Sequence, residues 1–401
     1  LDKYPDFQPL YELTTRRLMT SRRTAEAAAV ASKAMARFSQ SVDAARASAE
    51  VDGAAGNWND AIIAARQWRQ RAAGDSEQPD IFIAKADLLI DQAQDAIDRL
   101  SPYLADAKAH ADDNQPLLTT YAQALIRVDR ESEAAALLQP LAQNSSKWRL
   151  AWLEIAPAAY SEGAASGQWI EQIRPSLDPK SLDENAALAE AYLACADRQN
   201  FPPDYALAAK ALQPFLQSSD MTAAHWLTYA SAVTGAGDIA SAEQAYRQAL
   251  KIDPDNGIAL NNLADLLRQK GNPSSLQEAE GMVSRAIATH PGDANLVSFL
   301  DTDAQILLKE GRTNDAVAAF QKGYAIDPKD LNILIGLALT YANNHQIDVA
   351  VRYLSQIDNL IVPGTHLTAD LQTQLDDLRQ AIRKSASQSS MTGTDFSPSA
   401  R

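Results

Sequence analysis

The sequence predicts an all-α fold: a right-handed α-solenoid of about ten helix-turn-helix repeats, with a C-terminal capping helix. One pattern of small and large apolar residues returns roughly every 34 residues. The composition agrees, because Ala, Leu, Gln, Glu and Arg abound while β-branched runs are scarce. Length points the same way: a single globular core for 401 residues would be unusually large. A stack in which each repeat packs only on its neighbours grows lengthwise instead.

The best-formed stretch runs from Ala223 to Asp255, with Trp226, Tyr229, Ala230, Val233, Gly237, Ala242, Tyr246, Ala249 and Pro254 in register. Ala230 and Ala242 are small where two helices must cross, and Trp226, Tyr229 and Tyr246 fill the space beside them. Gly237 supplies the turn, and Pro254 stops the second helix. This spacing resembles the tetratricopeptide repeat (TPR). The resemblance implies a non-catalytic surface for other proteins.

The template recurs downstream. From Gly257 it gives Leu260, Leu263, Ala264, Leu267 and Gly271, then Ala279, Val283, Ala286 and Pro291. From Val297 it gives Leu300, Ala304, Leu307, Gly311, Ala316, Phe320 and Pro328, with Gly323 where Ala is usual. From Leu331 come Leu334, Leu337, Ala338, Tyr341, Ala350 and Leu354, with His345 in the glycine slot and Pro363 near the end.

Upstream the pattern is more divergent but in phase. The segment from Val42 carries Ala45, Ala49, Gly56, Ala61, Ala65 and Trp68, and the one from Gln115 carries Leu118, Tyr121, Ala122, Leu125, Ala134, Leu138 and Leu141. Around Glu77 the match is Ile83, Ala84, Ala96, Leu100 and Tyr103. Around Arg149 it is Trp152, Ile155, Ala156, Ala159 and Gly163, then an irregular second helix with Trp169 and Ile173. The repeat at Leu182 keeps Leu188, Ala189 and Tyr192 and carries an insertion, Asp197 to Asp204, before Ala208, Leu212 and Phe215.

These registers divide the chain into five parts. Residues 1–7 align with the end of a repeat's second helix, as in Leu250 to Asn256, so Leu1 is expected mid-repeat and the native start upstream. Residues 8–220 form the divergent repeats and 221–363 the well-formed ones. Residues 364–384 form an amphipathic capping helix with Leu371, Leu375, Leu378 and Ile382 on one face. The Ser- and Thr-rich 385–401 is expected to be a flexible tail.

Charge narrows the partners. A net charge of −15 disfavours nucleic acid, which calls for basic stripes, and favours proteins or peptides with basic segments. The cluster Arg16, Arg17, Arg22 and Arg23 reads first as ordinary solvated helix surface. No apolar run approaches the roughly 20 residues of a membrane span. The single Cys195 excludes an internal disulfide, reads as a buried packing residue, and fits a cytoplasmic or a bacterial periplasmic setting equally. Asn144-Ser145-Ser146 is a formal sequon of the kind common by chance.

Motifs for chemistry are missing. His110, His225, His290, His345 and His366 lack metal-ligand spacing, so neither metal nor cofactor is expected. Gly235-Ala236-Gly237 falls in a helix turn instead of a phosphate cradle, and Gly163 to Gly167 lacks the spacing of a nucleophile elbow. Asp301-Thr302-Asp303 lies inside a helix with no strand to present it to a metal.

The TPR resemblance implies that the second, fifth, sixth, ninth and twelfth positions of each first helix point into a concave groove. Those positions give Asn261, Asn262, Asp265 and Arg268, then Asp301, Thr302 and Gln305, then Asn332. Such a set offers donors and acceptors to an extended peptide, although any wet groove is polar. The Lys, Arg and Asn clamp of chaperone-binding TPRs is not supported here. The asparagine ladder of O-linked N-acetylglucosamine transferase is reduced to Asn262. The expectation is a scaffold or adaptor, with a place in a multiprotein complex. The alternative is the substrate-recruiting part of a larger enzyme or export machine, such as a glycosyltransferase or a bacterial exopolysaccharide secretion protein.

Overall fold

The computed structural model describes residues 4–21, 23–72, 74, 76–159, 168–199, 202–361, 367 and 369–391. Among these the regular elements are α-helices joined by turns and short 3-10 segments. The chain divides into two compact units, Leu1–Ala187 and Leu188–Arg401.

The first unit holds α1 (Gln8–Thr20), α2 (Thr24–Arg37), α3 (Val42–Ala54), α4 (Trp58–Arg71), α5 (Glu77–Leu89) and α6 (Ala93–Leu100). It continues with α7 (Leu104–Ala109), α8 (Gln115–Arg127), α9 (Glu131–Ala142), α10 (Ser146–Ile155) and α11 (Gln168–Ile173). The unit boundary falls within α12 (Leu182–Gln199). The second unit continues through α13 (Pro202–Leu212), α14 (Ala223–Gly235), α15 (Ile239–Ile252), α16 (Gly257–Lys270) and α17 (Pro273–Thr289). It ends with α18 (Leu296–Lys309), α19 (Thr313–Ile326), α20 (Leu331–Asn343), α21 (Ile347–Leu360) and α22 (Ala369–Met391).

Helices touch mainly their successors in the chain, and in places the helix after that, as α16 touches α18 and α18 touches α20. This is the contact pattern of stacked hairpins, the solenoid that the spacing predicts. The small residues sit where expected: Ala230, Ala242, Ala249, Ala264, Ala279, Ala304, Ala316, Ala338 and Ala350 are fully buried. Leu260, Leu263, Leu267, Val283 and Phe299 fill the layers between them, each large side chain contributing about 1.5–3 kcal/mol by leaving water. Gly323 has a packing reason, since a Cβ there would come within 2.6 Å of Ile333 Cδ1. Cys195 is buried, as its apolar surroundings suggested.

Several of the turns inside the hairpins share one geometry. Gly237 takes a left-handed φ of 84°, and the following Asp238 amide donates to the Val233 carbonyl at 2.8 Å, closing a Schellman motif. The same six-residue closure joins Gln92 to Asp87, Arg130 to Leu125 and Gln346 to Tyr341, where the left-handed residue is Asp91, Asp129 or His345. His345 therefore does take the glycine conformation of the slot assigned to it.

Some expectations need adjustment. The insertion Asp197 to Asp204 is absorbed largely by lengthening: α12 runs on to Gln199 and α13 begins at Pro202, with 200–201 outside the described residues. Strong helix formers carry α12 onward, and proline's fixed φ suits the first position of α13. The C-terminal helix continues past Ser385 to Met391, because extending a formed helix is far easier than nucleating one. Leu375 and Leu378 of α22 pack with Leu334, Ile335 and Ala338 of α20 and with Ala350 and Ile357 of α21. Leu1 to Lys3, Arg22, Gly163 to Gly167, Pro363, His366 and residues 392–401 lie outside the described residues.

Candidate functional site

The second unit contains a cleft of about 720 Å³. Asn261, Asn262, Asp265 and Arg268 of α16, Asp301, Thr302 and Gln305 of α18, and Asn332 of α20 all line it. Their convergence follows from helix geometry: residues three or four apart share a face, and equivalent faces of successive first helices are stacked side by side.

Local capping fixes the helices that present these groups. Asn256 accepts from the Ala259 amide at 3.0 Å to start α16, and Asp330 accepts from the Ile333 amide at 2.9 Å to start α20. Within the cleft, Asp265 Oδ1 accepts from Arg268 Nε at 2.8 Å and its Oδ2 from Gln269 Nε2 at 2.9 Å. Asn261 Nδ2 donates to Asn262 Oδ1 at 3.3 Å, and Asn262 Nδ2 donates to Tyr246 Oη at 3.4 Å. This relay uses the Asn261 amide nitrogen but leaves Asn261 Oδ1 sealed from solvent without a donor.

Asp301 is the strongest anomaly. Its Oδ1 is likewise buried and accepts no hydrogen bond. Burial, reinforced by the nearby Asp330 and Asp265 carboxylates, pushes its pKa up to about 7, while Arg268 and Gln305 pull the other way. Thr302 is buried, Gln305 half-buried, and Asn332 exposed at the rim. The charged lining consists of Asp265, Asp301 and Asp330 against Arg268 and Lys309. Since Asp265 and Arg268 pair with each other at 2.6 Å, Asp301 and Asp330 remain against Lys309, a balance that turns acidic once Asp301 ionises above about pH 7.

Position reading missed part of the lining. Ser298 occupies a second position and follows from the same rule. Tyr246 comes from the second helix α15, Asp330 from the turn before α20, and Gln374 from α22, so a rule confined to first helices could not reach them.

His225 and His290 serve local structure. His225 Nδ1 accepts from the Thr222 amide at 3.2 Å in a capping box, and His290 stacks edge-on against Phe299. Among the described residues no group of His, Cys, Asp or Glu is arranged to hold a metal ion. Arg16 and Arg23 are paired with Glu12 at 2.9 Å and Glu26 at 2.6 Å, and among the described residues no helix is long and apolar enough to cross a membrane.

Residues 179–322 match the family model of the cytochrome c-type biogenesis protein H TPR domain, and residues 307–361 match a tetratricopeptide repeat model. No curated protein matches the chain. Among solved structures, MamA residues 41 to the end from Desulfovibrio magneticus RS-1 is similar at 15% identity and a TM-score of 0.36, covering 45% of this chain and 97% of that solved chain. Yeast Tom70 is similar at 12% identity and a TM-score of 0.37, covering 99% of this chain and 98% of that one. The APC/C hetero-tetramer Cut9-Hcn1 is similar at 13% identity and a TM-score of 0.34, covering 93% and 96%. With repeat spacing, stacked helix hairpins and two repeat-family models in agreement, the chain is a tetratricopeptide-repeat protein, built as a protein-interaction scaffold.

Proposed function

We propose that this scaffold is non-catalytic and holds an extended polypeptide segment, with basic residues among its side chains, in the cleft lined by α16, α18 and α20. The observation that carries the reading is the convergence of amide donors, amide acceptors and carboxylates from successive repeats on one concavity. An extended peptide needs partners for its own backbone groups, and asparagine side chains supply both kinds. The acidic balance favours a basic partner and disfavours nucleic acid. The scaffold then works as one member of a multiprotein complex.

A partner captured from the source organism tests this. Asn262→Ala combined with Asp265→Ala is expected to weaken its binding by roughly 1–3 kcal/mol, with far-ultraviolet circular dichroism unchanged. Equal affinity of variant and wild type would move the site elsewhere, first to the end of the array near Arg16 and Arg23.

A narrower reading is favoured by the family-model match over 179–322: the array serves cytochrome c-type biogenesis. Deleting the gene and staining for covalent haem checks it. Unchanged c-type cytochromes would remove this reading and leave the broader one standing.

A further inference from the structure

We infer that Asp301 is the floor of a subsite that takes one lysine or arginine side chain of the bound segment. This deepens the reading of the cleft as a peptide-binding surface and rests on it.

A buried carboxylate normally collects donors, because leaving one without them costs several kcal/mol. Asp301 Oδ1 is sealed from solvent with none, and Asn261 Oδ1, at the equivalent fifth position of the preceding first helix, is in the same condition. Both residues line one cleft and both are half-buried overall, so a donor arriving from the cleft meets these two side chains. Two acceptors with no resident donor select a group rich in N–H and poor in acceptors. Ammonium and guanidinium fit that description, carrying donors only, whereas a hydroxyl or a carboxylate brings acceptors of its own.

Resident cations do not already fill the role. Arg268 of α16 is committed to Asp265 at 2.6 Å. The other charged or titratable groups on the cleft wall are Lys309 on α18, Asp330 before α20 and Tyr246 on α15; α14, α20 and α22 bring only Thr234, Asn332, Leu339 and Gln374. Burial and the carboxylates of Asp265 and Asp330 also hold Asp301 protonated up to about pH 7. An arriving cation would stabilise the ionised form and displace that proton, so recognition of the basic side chain weakens as the solution is acidified below neutrality.

The test uses immobilised octapeptides of Ala, Gly, Ser and Leu with one central residue: lysine, arginine, norleucine or glutamate. The expected result is retention of the lysine and arginine peptides by wild type at pH 8 roughly tenfold or more above norleucine, the size of one charge-assisted hydrogen bond. That preference should shrink at pH 6. Asp301→Asn, nearly isosteric, should remove the preference at both pH values while norleucine peptides stay bound. Asp303→Asn, altering an acid of α18 outside the cleft lining, should leave it intact. If lysine and norleucine peptides bind wild type equally and Asn262→Ala/Asp265→Ala abolishes both, the cleft binds peptide but the cation subsite is wrong. If that double variant changes nothing for any peptide, the cleft reading and the subsite fall together.

Discussion

In the first unit Glu184 is 1% exposed and is met by Arg149 Nε at 3.1 Å, by Arg149 Nη2 at 2.6 Å and by the Asp178 amide at 2.7 Å. In the second unit Asp301 presents a buried oxygen with no donor at all. The pKa directions follow this donor count. Burial would push Glu184 up, but Arg149, Ser146 and the Asp178 amide hold it below the usual carboxylate range, whereas burial carries Asp301 to about 7. Asp87 falls between them, with one guanidinium nitrogen at 3.3 Å: burial pushes its carboxyl up and Arg99 pulls it back. A buried acid whose donors come from the fold is held ionised in place, and one without them keeps its proton and an open acceptor.

Arg149→Ala attacks the satisfied case and carries the largest expected effect. It strands Glu184 as an uncompensated buried charge, so the first unit should lose about 3–5 kcal/mol, read from urea unfolding by the fluorescence of Trp148 and Trp152. A midpoint within error of wild type would show that the ion pair is not what keeps Glu184 inside.

Asp301→Asn probes the unsatisfied case, and its sign is opposite. The unfolded chain releases the Asp301 proton in the ordinary carboxylate range, while the folded chain keeps it to about pH 7. Wild-type stability therefore falls as pH rises through that window, because the folded state binds the extra proton. At pH 8 the variant should be more stable by roughly 3–4 kcal/mol, and near pH 4 the two should nearly coincide. Parallel melting-temperature curves across pH 4–8 would remove the distinction between the two kinds of buried acid.

The smallest effect concerns the turns. Asp129 in the first unit and His345 in the second hold left-handed φ values of 58° and 61°, which cost an L-residue about 1–2 kcal/mol. Glycine removes that strain but adds unfolded-state entropy, so Asp129→Gly and His345→Gly should each stabilise by about 0.5–1 kcal/mol. Denaturant midpoints check this, and a loss in either variant would show that the side chain holds its turn by other means.

The fold was legible because helix crossing imposes a size limit at one position, and buried Ala230, Ala264, Ala304 and Ala338 mark it, the interval widening only between Ala264 and Ala304. The cleft lining was legible for the same reason, since a periodic helix puts a periodic set of residues on one face. Asp91 and Asp129 escaped notice because a left-handed aspartate looks like any polar loop residue. The extra length of α12 and α22 was hidden by tolerance: helix ends are set by small differences in local propensity. The state of Asp301 could not be read at all, because whether an acid is paired depends on neighbours from α16 and from the turn before α20.

The ion pairs between repeats have one further property. Arg46 reaches Glu12 across 34 residues, Arg149 reaches Glu184 across 35, and Arg312 reaches Glu280 across 32, so each bond spans close to one period. The array thus has the character of a one-dimensional crystal with a unit cell of one hairpin, in which bonds join adjacent cells. Gaining or losing a whole cell by gene duplication or deletion preserves the phase of every remaining bond. A change of a few residues inside a hairpin shifts the phase at that seam alone.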